Sequence, residues 1–319
     1  MLSRTADNLF WLSRYMERAD FIARIIDATL RLEALPKTYG ASENEWESTL
    51  SAAGVLEIFE ETYPELNGSN AIKFLTFDER NPSSIRNCIE CARTNARAVR
   101  TALTIETWET INSGWLELKK FERLLGSGGS FDRDQLIQFL EFTKKMSLDT
   151  DGSAYRTMLR NDAYWFTRLG LYVERADNTA RILDVKYHVL LPEHESVGGS
   201  LDYFQWTAIL RAVSALTSYH WVYRDSVKPW QIADLLILKK PMPRSLISCY
   251  ENIVRFVDDI GRDYGRQGVS QRRARQVLTR LENMSIDQIM NEGLHEFITG
   301  FLDDNNQLGA GIAEQYLLT

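Results

Sequence analysis

The chain has 319 residues, of which 44% are hydrophobic and 25% charged, and its net charge is -7. That balance suits a globular protein of one large or two medium domains, and the negative charge argues against a nucleic-acid partner. No apolar run approaches the roughly 20 residues a membrane-spanning helix needs, and the first residues lack the apolar core of a signal peptide, so the expected setting is the cytoplasm with no membrane partner. Cys88, Cys91 and Cys249 are too few for a disulfide framework, which fits a reducing compartment.

Seven prolines and eighteen glycines are few for this length. A period near 3.6 dominates and no alternating strand pattern stands out, so the chain reads as all-α. The first helix is expected over about 7–34, capped by Asp7 and ended by Leu35-Pro36, with Leu12, Tyr15, Met16, Ala19, Ile22 and Ile26 on its apolar face. A second follows over about 45–63, and a short one over 71–77. The next opens at Pro82 with Asn81 or Ser83 as cap, and places Ile85, Ile89, Ala92, Ala96, Val99 and Leu103 on one seam. Alongside that seam runs a polar stripe of Arg86, Glu90, Arg93, Arg97 and Arg100. Helices over about 105–125 and 132–146, separated by the glycine-serine run 126–130, close the first half.

The second half repeats the first. Tyr15, Glu17, Arg18, Ala19, Asp20, Ala23, Arg24, Ile25 and Asp27 all recur at an offset of 157, as Tyr172, Glu174, Arg175, Ala176, Asp177, Ala180, Arg181, Ile182 and Asp184. Trp46 recurs as Trp206, Pro82 as Pro243 and Cys88 as Cys249, at offsets of 160 to 161. A repeat of this length is expected to build two helical units, 1–150 and 151–319, related by a pseudo-twofold and packed as one compact multi-helix bundle. Only a short break, over 148–152, is expected between them. Two more helices are expected over about 270–284 and 286–302.

The chemistry-bearing stretch is the repeated motif. On a helix, Ser13, Glu17, Asp20, Arg24 and Asp27 fall on one side, as do Gly170, Glu174, Asp177, Arg181 and Asp184, with Arg18 and Arg175 on the flank. Three readings stay open. The stripe is a solvated face stitched by i,i+3 and i,i+4 pairs, or a buried Glu–Arg network locking the halves, or a ligand pocket. In the pocket reading, arginines hold a carboxylate or phosphate, and Glu17 or Glu174 receives an amine or acts as general base. Arg93 and Arg97 join that pocket if their face turns toward the glutamates. Arg244, at a helix start after Pro243, is a further anion-binding candidate. No metal site is expected, since the histidines have no metal spacing and Cys88-x-x-Cys91 lacks a second pair. No phosphate loop, dinucleotide fingerprint or nucleophile elbow is present, so no cofactor is expected.

These residues resemble the bacterial alpha-E family, a helical domain of unknown function with a Glu-Arg motif, usually duplicated. The resemblance rests on residues 1–8 (MLSRTADN), 14–19 (RYMERA), 81–85 (NPSSI), 92–97 (ARTNAR), 169–170 and 172–177 (LG, YVERAD) and 243–245 (PRS). It spans nearly the whole chain. Thr94, Leu171 and Met242 depart from the family pattern. The resemblance implies that Glu17, Arg18, Glu174 and Arg175 are signature positions. It also implies a role in peptide synthesis or modification, beside circularly permuted ATP-grasp carboxylate–amine ligases, transglutaminase-like proteins and an NTN-type peptidase. The leading expectation is a non-catalytic scaffold or substrate-holding component of such an amide-bond-forming system. The alternative is an enzyme acting on an activated acyl or peptidyl intermediate, with Glu17 or Glu174 as base.

Overall fold

The computed structural model describes residues 1–34, 45–125, 132–188, 200–265 and 267–317. Among these the protein is all-α, with fifteen α-helices, one short 3-10 turn at Arg100–Ala102 and no strand. In chain order the helices are α1 Ser3–Glu33, α2 Glu45–Ala52, α3 Leu56–Thr62, α4 Gly68–Thr76, α5 Ile85–Ala98, α6 Ile105–Leu125, α7 Arg133–Thr157 and α8 Asp162–His188. They continue with α9 Ser200–Ala212, α10 Leu216–Tyr223, α11 Pro229–Ile237, α12 Leu246–Asp263, α13 Val269–Asn283, α14 Ile286–Glu292 and α15 Leu294–Tyr316.

The core is organised around α1 and α8, which pack on each other along much of their length. α5 packs on α1 and α12 on α8, and α7 and α15 flank the pair. The short helices cross over: α2 lies against α8 and α9 against α1, each also touching the long helix it follows. Helices that are enclosed this way are buried on several faces, not on one stripe. In α1 that includes Leu9, Phe10, Leu12, Met16, Ala19, Phe21, Ile22, Ala23, Ile25 and Ile26. The polar Ser13, Glu17 and Asp20 are buried with them. The expected separation of α1 into a core stripe and a polar face is therefore corrected.

Several boundaries differ from expectation for identifiable reasons. α1 begins at Ser3, with extended Leu2 before it and no side-chain cap, so Asp7 lies inside the helix. Burial of Ala6, Leu9 and Phe10 carries the helix past the position that local capping chemistry favoured. The helix expected over 45–63 is broken into α2 and α3 at Gly54, whose φ of +67° is a left-handed conformation natural to glycine. Ser84, not Asn81 or Ser83, caps α5, accepting a bond from the Asn87 amide at 3.3 Å. Ser245 caps α12 in the same manner, from the Ser248 amide at 3.1 Å.

α7 starts with a capping box between Asp132 and Gln135 and then runs unbroken to Thr157. The expected break over 148–152 is thus absent, and the expected domain boundary at 150/151 lies inside this helix. Buried Met146, Ser147, Thr150 and Ala154 hold that stretch against the body, which overrides the weak helix propensity of Gly152. The chain interrupts instead between Met158 and Asn161, just before α8. Near the end, Gly293 at φ +104° separates α14 from α15, and α15 runs well beyond the expected stop at 302. The glycine-serine run 126–130 and the expected helix end at Leu35-Pro36 lie outside the described residues.

One contact sets how closely the central pair approach. A Cβ added at Gly170 would land on the carbonyl oxygen of Phe10, so backbone meets backbone there. Gly170→Ala is expected to destabilise the protein by about 3 kcal/mol through overpacking, measured as a lower midpoint in urea unfolding. A change below about 0.5 kcal/mol, the range of ordinary surface substitutions, would show that the helices are free to separate.

Candidate functional site

α1 and α8 each carry the repeated motif, and their packing brings the two copies together. The result is a crossed set of ion pairs. Arg175 on α8 grips Glu17 on α1, its Nε and Nη2 reaching the two carboxylate oxygens at 3.1 and 3.0 Å. Arg18 on α1 grips Glu174 on α8 in the same bidentate way, at 2.6 and 3.2 Å. Both glutamates are only 2% exposed. Each has a second guanidinium. Arg14, one turn before Arg18, donates to Glu174 at 2.7 Å. Arg244, just before α12, donates to Glu17 at 2.6 Å and to Asp20 at 2.9 Å.

The crossing continues along both helices. Arg24 holds Asp20 at 2.7 Å and reaches over to donate to the Ser214 hydroxyl, also at 2.7 Å, in the turn between α9 and α10. Arg181 holds Asp177 at 2.6 Å and lies against Gly54, in the turn between α2 and α3. Ser214 and Gly54 both have positive φ, +55° and +67°. The second arginine of each motif therefore reaches a turn inside the other half of the chain. Thr179 adds a hydroxyl bond to the Arg244 carbonyl at 2.9 Å, which fixes the loop that delivers that cation.

Burial by itself would push both glutamates toward the neutral acid. Arg175 and Arg244 reverse this for Glu17, and Arg18 and Arg14 for Glu174, leaving both carboxyls below their ordinary 4.5. Both are ionised and fully occupied at neutral pH. Cys88 sits beside the Arg18–Glu174 pair and Cys249 beside Arg175–Glu17, and burial pushes both thiols up to about 12. They are core thiols there, without thiolate reactivity.

The structure thus brings together Glu17, Arg18, Asp20, Arg24, Glu174, Arg175, Asp177, Arg181 and Arg244. It does not add Arg93 and Arg97 to them. Arg93 stacks on the Trp115 ring, 3.9 Å from its centroid, and donates to Asn112 at 3.1 Å, both on α6, while Arg97 is exposed. The expected i,i+3 pair of Arg24 and Asp27 does not form; Asp27 pairs with Arg31 and Lys144 instead. Arg14 was not among the expected site residues. Its signals were its place at the head of the 14–19 stretch and its replacement by Leu171 in the second copy. Arg168 was missed too: it is buried, paired with Asp151 and bonded to the Tyr172 hydroxyl. Among the described residues no group of three metal-ligating side chains could hold a metal ion, and no helix is long and apolar enough to cross a membrane.

Four Glu-Arg dipeptides occur in the sequence: 17–18, 79–80, 122–123 and 174–175. Only the first and last place both members in the crossed pairs. A family model described as "a predicted alpha-helical domain with a conserved ER motif", Alpha-E, matches residues 1–317. The chain belongs to the Alpha-E family. No curated protein and no solved structure matches it. In this Alpha-E protein the Glu-Arg motif is the inter-helix lock itself.

Removing one partner of a buried pair leaves the other charge uncompensated, which costs about 3–5 kcal/mol. Glu174→Gln is expected to lose that much in urea unfolding at neutral pH, while Glu174→Met combined with Arg14→Met and Arg18→Met loses less than the single change. Equal or additive losses would mean the groups do not act as a unit. A second expectation concerns acid. Because both carboxyls titrate lower in the folded chain than unfolded, their contribution is complete above pH 4.5 and disappears as pH falls through the folded values. Melting temperatures measured from pH 6 down to pH 3 should therefore fall more steeply for the native protein than for Glu17→Gln/Glu174→Gln; parallel curves would contradict it.

Proposed function

We propose that this Alpha-E protein is a helical scaffold or substrate-holding component of a bacterial amide-bond-forming, peptide-modifying system. It works in the cytoplasm alongside an ATP-grasp carboxylate–amine ligase and a transglutaminase-like partner, and contributes no chemistry of its own. The observation that carries this reading is the occupancy of Glu17 and Glu174. A general base needs a carboxylate within reach of substrate and a pKa near the working pH. These two are enclosed, each held by two arginines, and shifted away from that range. The reading as an enzyme with Glu17 or Glu174 as base is disfavoured on the same ground. A rigid body whose charged motif is spent on internal bracing suits a protein that presents a fixed surface to others.

The test is reconstitution with an ATP-grasp ligase from the same organism and ATP, followed by mass spectrometry, with a parallel binding titration. The expected result is a complex at micromolar concentration and an amide product that depends on this protein. Glu17→Gln and Glu174→Gln should retain product formation at temperatures where each variant is folded. Absence of a complex, with the same product in the presence or absence of the protein, defeats the proposal. Loss of product from variants that are folded and still bind the ligase would revive the catalytic reading.

A further inference from the structure

A second carboxyl group in this protein is in the opposite condition to Glu17. α1, α2, α8 and α9 meet around a small, half-open groove of about 60 Å³. Its walls are chiefly apolar, with Ile25 and Leu32 from α1, Ile182 from α8, and Ala208 and Ile209 from α9. Glu45, in the first turn of α2, lines the same groove and is 8% exposed. Among the described residues its carboxyl has no hydrogen-bond or ion-pair partner. Glu33 lies close enough to act on it with the same charge, and burial together with that repulsion raises Glu45 to about 7.

Glu45 is largely covered, its carboxyl reaches the groove, and a carboxylate so placed without a cation is uncommon. The core offers two contrasting cases nearby in which each carboxylate has two cations. The first-turn position of Glu45 favours its ionised form through the helix dipole, but a dipole is not a counter-ion. Beside it, the Thr29 and Thr49 hydroxyls lie 2.6 Å apart, so one donates to the other, which in turn donates to its own helix carbonyl, that of Ile25 at 2.9 Å or of Glu45 at 2.8 Å. Each keeps capacity to accept a further bond. The groove therefore presents one anion, with the polar side chains of Thr29, Ser48, Thr49 and Gln205, at an otherwise apolar cleft, and among the described lining residues no cation.

The geometry points to a binding site for a small primary amine with an apolar body, its ammonium group on Glu45 and its hydrocarbon part along Ile25, Ile182 and Ile209. A divalent metal does not fit, since it needs about six oxygen ligands and these walls are hydrocarbon. A neutral apolar ligand would leave the carboxyl as it stands. The equivalent position in the second half, at an offset of 160, is Gln205, so the repeat provides a carboxylate on one side of the groove and an amide on the other. This assignment holds whether or not the ligase partnership does.

The probes are n-hexylamine and 1-hexanol, which share a body and differ in the ammonium. Titration into the full-length protein at pH 8 is expected to show the amine binding about tenfold more tightly than the alcohol, the gain from one desolvated charge pair. Glu45→Gln, which removes no ion pair, should abolish that difference and leave alcohol binding in place. Ala208→Leu, which fills the groove, should weaken both. Equal affinity of the native protein for amine and alcohol, survival of the preference in Glu45→Gln, or no binding of either probe would overturn the proposal. The native-protein comparison stands even if a variant fails to fold.

Discussion

Two ionised carboxylates lie inside a helical body, and most of the architecture follows from the need to satisfy them. A buried glutamate without a partner is several kcal/mol unfavourable, while one held by guanidinium forks is tolerable. Glu17 and Glu174 find those forks only if α1 and α8 meet in one register. Sliding either helix by a residue rotates its motif about 100° away from the interface. The register is reinforced sterically at Gly170, where the second helix rests on the Phe10 carbonyl. Arg24 and Arg181 then carry it outward to the turns at Ser214 and Gly54. The pairs thus specify a geometry more than they add net stability.

The second guanidinium on each glutamate shows what is required. In the first motif copy Arg14 precedes Glu17 by three residues and serves Glu174. The equivalent position in the second copy is Leu171, which is buried and offers no charge. Glu17 obtains its second cation from Arg244 instead, at a position equivalent to Ser83 in the first half. The two solutions draw on different residues and different elements. Both deliver two cations to one buried anion. The requirement is electrostatic, a count of charges and donors around a carboxylate, and the chain meets it from whatever backbone lies within reach.

Much of this was legible beforehand, and the limits have physical causes. The all-helical class, the repeat and its chemically loaded residues follow from periodicity and spacing alone. What pairs with Glu17 did not, because Arg175 is 158 residues away and Arg244 is 227 away. Helical wheels report which residues share a side, not whether that side meets water or another helix. Glycine was ambiguous for the same reason: Gly54 ends a helix because its φ is positive, whereas Gly152 lies in the middle of one because its neighbours are packed. Ser214 adopts the conformation of Gly54 with no glycine to announce it; its hydroxyl bond from Arg24 accompanies that turn.

Where reactive capacity resides in such a protein depends on which charges are left over. Conspicuous motif residues attract a functional reading, yet here the lock glutamates are each held by two cations, and Asp20 and Asp177 each face at least one, with Oδ1 of Asp20 left unbonded. A group already saturated by fixed partners has little differential affinity left for a ligand. Glu45 has the reverse character. It carries no motif signature, sits in a short helix and is distinguished by lying largely covered at a groove, with no partner among the described residues. The lock also positions that residue, because α2 leans on α8 and α9 on α1, so the groove between them has its width set by the α1–α8 register. On this view the duplicated motif builds the walls and an unremarked carboxyl supplies the specificity, a division of labour that keeps the binding site free to change without disturbing the fold.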